Sequence, residues 1–409
     1  MPKPINFDDI ETACARGRPV VLETPTTRSP SFSRMLGADI WLKAENLQRT
    51  GSFKIRGAMN ALSQLDAAHR SAGVVAASAG NHAQGVALGA AELGIAATVF
   101  MPEGAAIPKI EATRAYGAEV TLSGANLAEA TDHATRFASE TGAALIHPYD
   151  DPHIIAGQGT LGLELSEQVA EIETVLMPLG GGGLISGSAL ALKHLSPSIR
   201  IIGVQSEAVP TYLRARQTGR AVEIVPMPTV ADGIAVSRPS QTCFLMIEEY
   251  VDDIVSVTDQ QTTEAVALLL ERAKYLVEPS GAVTVAALLN GVAEPRGRTV
   301  AVLSGGNIDL LLLDGLVRHG LQGRGRFASF WVTVPDEPGQ LAEILARVGS
   351  LGGNVLSVDH HREGTNRAFG TVKIHITVET RSHDHITIIL DGLKDYGVSG
   401  TQDGLGSGS

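Results

Sequence analysis

The sequence predicts an α/β protein with a parallel sheet in each of two lobes, followed by a small C-terminal α+β unit. Three observations carry this prediction. Short β-rich runs alternate with longer helical patterns from Gly73 onward, the alternation gives way near Gly320 to a β-α-β-β-α-β succession, and one β-rich run leads straight into four consecutive glycines.

The first β-rich run is Val74-Val75-Ala76-Ala77, followed by a helical stretch from His82 to Leu93. Ala97-Thr98-Val99-Phe100 precedes a helix from Ile107 to Tyr116, and Glu119-Val120-Thr121-Leu122 closes the first set. The pattern resumes at Leu145-Ile146, at Thr174 to Met177, at Ile201 to Val204 and at Thr299 to Leu303, with helices such as Thr262 to Lys274 between them. Two α/β lobes follow from this order, with ligand expected in the cleft at the carboxyl ends of the strands.

Beyond Gly320 the texture changes. Gly323-Arg324-Gly325-Arg326 is basic and glycine-rich and marks a connector at 321–326. A strand from Phe327 to Val334, a helix from Leu341 to Leu351, strands at Asn354 to His360 and Gly370 to Val378, and a helix from His383 to Lys394 spell a ferredoxin-like unit over about 327–400. Residues 401–409 read as a flexible tail.

Composition narrows the function classes. A chain of 409 residues exceeds a usual single domain. Its formal charge of −12, with no dense Lys/Arg cluster, speaks against a nucleic-acid surface. The N-terminal stretch lacks the apolar core of a signal peptide and no apolar run is long enough to span a bilayer, so a cytoplasmic protein is expected. Cys14 and Cys243 are too far apart in sequence for a zinc or redox motif and are expected to be reduced.

Chemistry concentrates in two segments. Gly51-Ser52-Phe53-Lys54-Ile55-Arg56-Gly57-Ala58 sets one lysine among small residues, and a lysine whose pKa is lowered by burial attacks carbonyls to form a Schiff base. Without context, Lys54 reads first as a surface lysine at a helix start. Gly180-Gly181-Gly182-Gly183 lies between a strand and a helix, where successive N–H groups and the helix dipole can hold an anion. Its spacing matches neither G-x-G-x-x-G nor G-x-x-x-x-G-K-[ST], and a plain tight turn would look similar.

Together these segments resemble the fold-type II pyridoxal-phosphate enzymes, which are tryptophan synthase β-like, and within them the threonine and serine dehydratase branch. Lys43-x-Glu45-x-x-Gln48-x-Thr50-Gly-Ser-Phe-Lys54-x-Arg56-Gly-Ala resembles the lysine motif of that branch, and Ser78-Ala79-Gly80-Asn81-His82-Ala83-Gln84-Gly85 its second motif. The glycine loop and Ser304-Gly305-Gly306-Asn307 follow in the expected order, so the resemblance covers about residues 5–320. It implies a catalytic domain at 1–320, with a smaller lobe at about 54–148 inserted in the larger one.

The resemblance also implies the cofactor, pyridoxal 5'-phosphate, and a set of roles. Lys54 holds the cofactor and then serves as general base. Phe53, Asn81, Gly180, Gly181, Gly182, Gly183, Leu184, Glu278 and Ser304 complete the cofactor site. Ser78, Ala79, Gly80, Asn81 and His82 grip the substrate carboxylate. Read from the residues alone, Ser78 or Asn81 could simply cap a helix, Ser304 could form a turn, and Glu278 could cap the next helix. Ser304 is the implied partner of the pyridine nitrogen, and a neutral hydroxyl there favours elimination over transamination. Ala79 stands where similar serine racemases carry a serine, so a one-base enzyme acting on an L-amino acid is implied. Glu207 resembles a metal-binding carboxylate of some relatives, but Val209 to Leu213 lack a second acidic ligand, and no metal is expected.

At the C-terminus, Asp-x-Pro-Gly-x-Leu from Asp336 and Gly353-Asn354-Val355 resemble an ACT domain, a small amino-acid-sensing module. Asp336, Pro338, Gly339 and Asn354 are the implied effector residues, with a branched-chain amino acid as in biosynthetic relatives. A homodimer or homotetramer is expected, since such modules pair across subunits. The function expected is therefore α,β-elimination of ammonia from L-threonine, and from L-serine, under amino-acid control. The alternatives are β-replacement, whose enzymes carry a different lysine motif; serine racemisation, against which Ala79 stands; and a sensor that has lost catalysis.

Overall fold

The computed structural model describes residues 5–361 and 370–401; of the tail expected at 401–409, Thr401 instead ends the strand Val398–Thr401 and residues 402–409 lie outside the described residues. Two units emerge, divided between Leu313 and Asp314. The helix Leu310–Gly323 crosses that division, so residues 321–323, expected as connector, continue a helix instead. Its apolar residues sustain the helical pattern as far as the glycine pair that ends it. Among the described residues, no helix is long and apolar enough to cross a membrane.

The first unit contains two sheets. The larger runs Thr26–Arg28, Asp39–Ala44, Arg298–Leu303, Ile172–Pro178, Arg200–Ser206, Asp253–Val257, all parallel except the first pair. Its central strand is buried on both sides, which is why it reads as a continuous apolar run. Val175 and Met177 pack with the helices Pro152–Gln168 and Gly183–Leu195, while Leu176 packs with Asp259–Leu268 and Pro279–Leu289 on the opposite face.

The smaller sheet is Glu119–Leu122, Ala97–Met101, Val74–Ala77, Ala144–Leu145, parallel throughout. The helices Lys54–Ser63 and Asn81–Glu92 cover one face and Leu127–Thr141 the other. The chain leaves the strands Val74–Ala77, Ile172–Pro178 and Arg298–Leu303 at their carboxyl ends directly into Ser78, Leu179-Gly180 and Ser304. Parallel topology thus delivers three of the singled-out segments to strand ends, where open sheets bind ligands.

The second unit is an antiparallel sheet ordered Asn354–His361, Thr371–Glu379, Phe327–Pro335, Val398–Thr401. The helices Gln340–Ser350 and His383–Gly392 contribute to its core, giving ferredoxin-like topology. Strand Phe327–Pro335 alternates buried and half-exposed residues, as expected of a sheet covered on one side.

Candidate active site

Lys54 opens the helix Lys54–Ser63, and the loop before it is fastened to the loop after strand Arg298–Leu303. Ser52 bridges Gly305, the Phe53 N–H donates to the Ser304 carbonyl at 3.1 Å, and the Gly306 N–H to the Gly51 carbonyl at 2.8 Å. Gly51 has φ +70°, and a side chain there would strike Asn307. The Lys54 Nζ donates to the Pro148 carbonyl at 2.9 Å and lies 5.2 Å from the centre of the Phe53 ring. Burial pulls its pKa down to about 8, with Glu278 opposing the shift. A substantial neutral fraction near physiological pH follows.

Ser78, Ala79, Gly80 and Asn81 lead into the helix Asn81–Glu92, whose first-turn N–H groups have no side-chain cap, the arrangement that suits an anion at a helix end. The Ser78 hydroxyl accepts from the Gly80 N–H at 3.2 Å. His82 is buried, its Nε2 donates to the Ile146 carbonyl at 2.8 Å, and burial lowers its pKa to about 3. It is therefore a neutral imidazole held by the fold.

The glycine run turns immediately before the helix Gly183–Leu195, with Gly182 at φ +94°. A Cβ on Gly180 would lie 2.7 Å from the Ile234 Cα, one on Gly182 2.5 Å from the Tyr212 Oη, and one on Gly181 2.2 Å from the Tyr149 ring. Only glycine fits these three positions. Behind them, the Tyr212 hydroxyl donates to the Gly181 carbonyl at 2.8 Å. Cys243 also packs there, buried, with its thiol pKa pushed up to about 12 by burial, so it is an unreactive wall residue.

Glu278 and Ser304 face the cavity from the large lobe and are both buried. The Glu278 carboxyl is pushed up to about 7 by burial and by Asp232, and it accepts from the Asn81 Nδ2 at 2.7 Å. The Asn81 Oδ1 in turn accepts from the Asn307 Nδ2 at 2.8 Å, and Asn307 also donates to the Thr50 carbonyl at 2.6 Å. Asn307 thus joins the lysine loop, the asparagine helix and the serine loop. The sequence carried it in a motif but gave it no task.

All the residues singled out for cofactor and substrate line one cavity of about 330 Å³. Tyr149, Gln158, Lys109 and Asp232 line it too, and nothing local in the sequence marked them. Behind Lys54 lies a second feature that sequence reasoning did not find. The Arg56 guanidinium is fully buried and makes two hydrogen bonds to each of Glu45, at 2.7 and 2.8 Å, and Glu164, at 2.6 and 2.9 Å. Lys43 meets Glu164 at 2.6 Å.

The effector residues inferred for the second unit do not come together. Asp336, Pro338 and Gly339 follow the end of strand Phe327–Pro335, whereas Asn354 pairs with Glu379, which pairs with Phe327 at the beginning of that strand. Nine strand residues, roughly 30 Å, separate the two groups. Both motifs sit at strand ends, but antiparallel pairing sends them to opposite ends.

The amine, the glycine cradle and the neutral hydroxyl arranged around one cavity fit an aldehyde cofactor that carries a phosphate. Residues 18–305 match the family model described as pyridoxal-phosphate dependent enzyme, and the chain belongs to that family. Within it the chain belongs with the threonine ammonia-lyases. It is 46% identical over 383 residues to the L-threonine ammonia-lyase of Thermotoga maritima, a match covering 93% of this chain and 95% of the relative. The crystal structure of the T.th. threonine deaminase superposes with a TM-score of 0.71 at 42% identity, covering 75% of this chain and 99% of the other. Maize serine racemase superposes with a TM-score of 0.72 at 37% identity, covering 78% and 99%. The cofactor is pyridoxal phosphate.

Proposed function

We propose that the chain removes ammonia from L-threonine by α,β-elimination, yielding 2-oxobutanoate, and acts on L-serine to yield pyruvate. The observation that carries this reading is a lysine amine held near neutrality in a cavity that also presents a glycine anion cradle and a neutral hydroxyl. When bound, pyridoxal phosphate supplies the electron sink for the pair left behind when the α-proton departs. Lys54, Phe53, Asn81, the run Gly180 to Leu184, Glu278 and Ser304 would hold it.

The chain's own groups then divide the work. The Lys54 Nζ, once free, accepts the α-proton. The N–H groups of the Ser78 to His82 turn bind the substrate carboxylate and fix which face of Cα meets Lys54. Ser304 offers a hydroxyl where a carboxylate would enforce ring protonation, which favours prompt loss of the β-hydroxyl. Ala79 brings no proton to the opposite face, and His82, its pKa lowered by burial to about 3 and its Nε2 tied to Ile146, is a poor acid to replace it. One base acting on L-substrates follows, and this separates the reading from racemisation.

The second unit would act as an ACT-type sensor. Its ferredoxin-like topology and the Asp336–Gly339 turn support that role, with a branched-chain amino acid as effector and a homo-oligomer as the assembly. The separation of Asn354 from that turn leaves Asp336, Pro338 and Gly339 as the local effector loop.

The test is keto-acid formation by the purified, cofactor-loaded protein from L-threonine, L-serine and D-threonine. Turnover of the two L-substrates alone is expected. Absence of keto acid from all three, in a protein that shows bound cofactor, would overturn the reading.

A further inference from the structure

Gln158 lies in the helix Pro152–Gln168, is 1% exposed, and lines the active-site cavity. Its Oε1 accepts from the Gly57 N–H at 3.2 Å. That N–H belongs to the first turn of the helix opened by Lys54, where backbone donors lack helical partners. The bond fixes the amide orientation, because an N–H requires an oxygen opposite it. The Nε2 group is left without a protein partner among the described residues, yet it belongs to a residue buried in the cavity wall. The amide also lies so close to the Gly57 Cα that a Cβ there would overlap the Nε2, with the Gln158 Cδ 2.8 Å away. An amide donor that lines a ligand cavity and makes no hydrogen bond to the protein is free to serve a bound anion.

We infer that Gln158 is a ligand-contacting residue whose Nε2 donates to an anionic oxygen bound in the cavity while its Oε1 steadies the Lys54 helix. The oxygen comes from the cofactor phosphate or from the substrate carboxylate, the two anions the cavity takes under the reading above. Gln158 sits between the two segments in the fold: its side chain meets Gly57, one turn beyond Lys54, and its main-chain carbonyl accepts from Ser188, in the helix that begins at the glycine run, at 3.2 Å.

Q158E tests this, since it keeps an oxygen for Gly57 and exchanges the donor for a carboxylate. Uptake of pyridoxal phosphate by the cofactor-free chain is compared with uptake of pyridoxal, which lacks the phosphate. Binding of L-alanine by the loaded enzyme is compared with binding of ethylamine, which lacks the carboxylate. A phosphate contact weakens pyridoxal phosphate roughly tenfold to a hundredfold and leaves pyridoxal within about twofold; a carboxylate contact does the same to L-alanine but not ethylamine. If Q158E does not fold, Q158M supplies the same comparisons. No change in any of the four, or equal losses within each pair, would confine Gln158 to helix support and overturn the inference. Failure of the unsubstituted chain to take up cofactor would instead fault the assignment of the cavity.

Discussion

Lys43 and Lys54 are two lysines held in the protein interior eleven residues apart, and they are treated in opposite ways. Lys43 is fully buried, and although burial lowers its pKa, Glu45 and Glu164 oppose the shift and hold it as a cation. The neighbouring Arg56 is buried too, but Glu45 and Glu164 outweigh that penalty and keep its pKa above the ordinary value. Lys54 begins the same helix as Arg56 and has a carbonyl, not a carboxylate, within hydrogen-bond reach. Burial therefore prevails there and the amine is poised to lose its proton. Paired cations fasten the helix, and the cation left without a carboxylate beside it is the one we propose for the chemistry.

The largest effect expected from breaking this contrast is that of Lys54→Ala. Turnover falls by roughly a thousandfold or more, and the visible absorbance of lysine-bound cofactor disappears. Arg56→Met breaks the other side of the comparison. It strands Glu45 and Glu164 as buried, unpaired carboxylates and should cost about 3–5 kcal/mol of stability, measured by denaturant unfolding of the cofactor-free protein.

A pH experiment sharpens the contrast further. The folded pKa of Lys54, about 8, lies below the ordinary lysine value of 10.5. Cofactor capture by the free protein should accelerate as pH rises and level off above about 8. Between those two values the unfolded chain holds a proton that folded Lys54 has released, so this residue adds stability as pH rises through the window. Lys54→Met should flatten both dependences. The smallest expected effect is that of Ala79→Ser, which introduces a hydroxyl on the opposite face. Trace D-serine from L-serine, detected by chiral chromatography, is the expected gain, and its absence would mean that the hydroxyl alone is not a second base.

What the sequence could show tracks how local the signal was. The Lys54 loop, the glycine run and Ser304 each announce themselves within a few residues, because tight turns and strand ends demand particular small side chains. Alternating β-rich and helical runs likewise gave the parallel sheets. Gln158 and Asn307 could not be read in this way. Gln158 meets a helix 101 residues earlier in the chain, and Asn307 meets Asn81 at a separation of 226 residues. Their roles arise from packing between distant segments. Arg56 stood within the lysine motif, but its carboxylate partner Glu164 comes from a helix 108 residues away. That Asn354 and Asp336 lie apart within one chain was unreadable for a related reason: each lies at a recognisable strand end, but which end faces which depends on antiparallel register.

The central claim is that Lys54, and not another lysine, carries the cofactor. Borohydride reduction of the loaded protein followed by peptide mass mapping tests it most directly. The account predicts one reduced cofactor adduct per chain, on the peptide containing Lys54. An adduct on Lys43, Lys109 or any other lysine, or no adduct in a protein with bound cofactor, would contradict it.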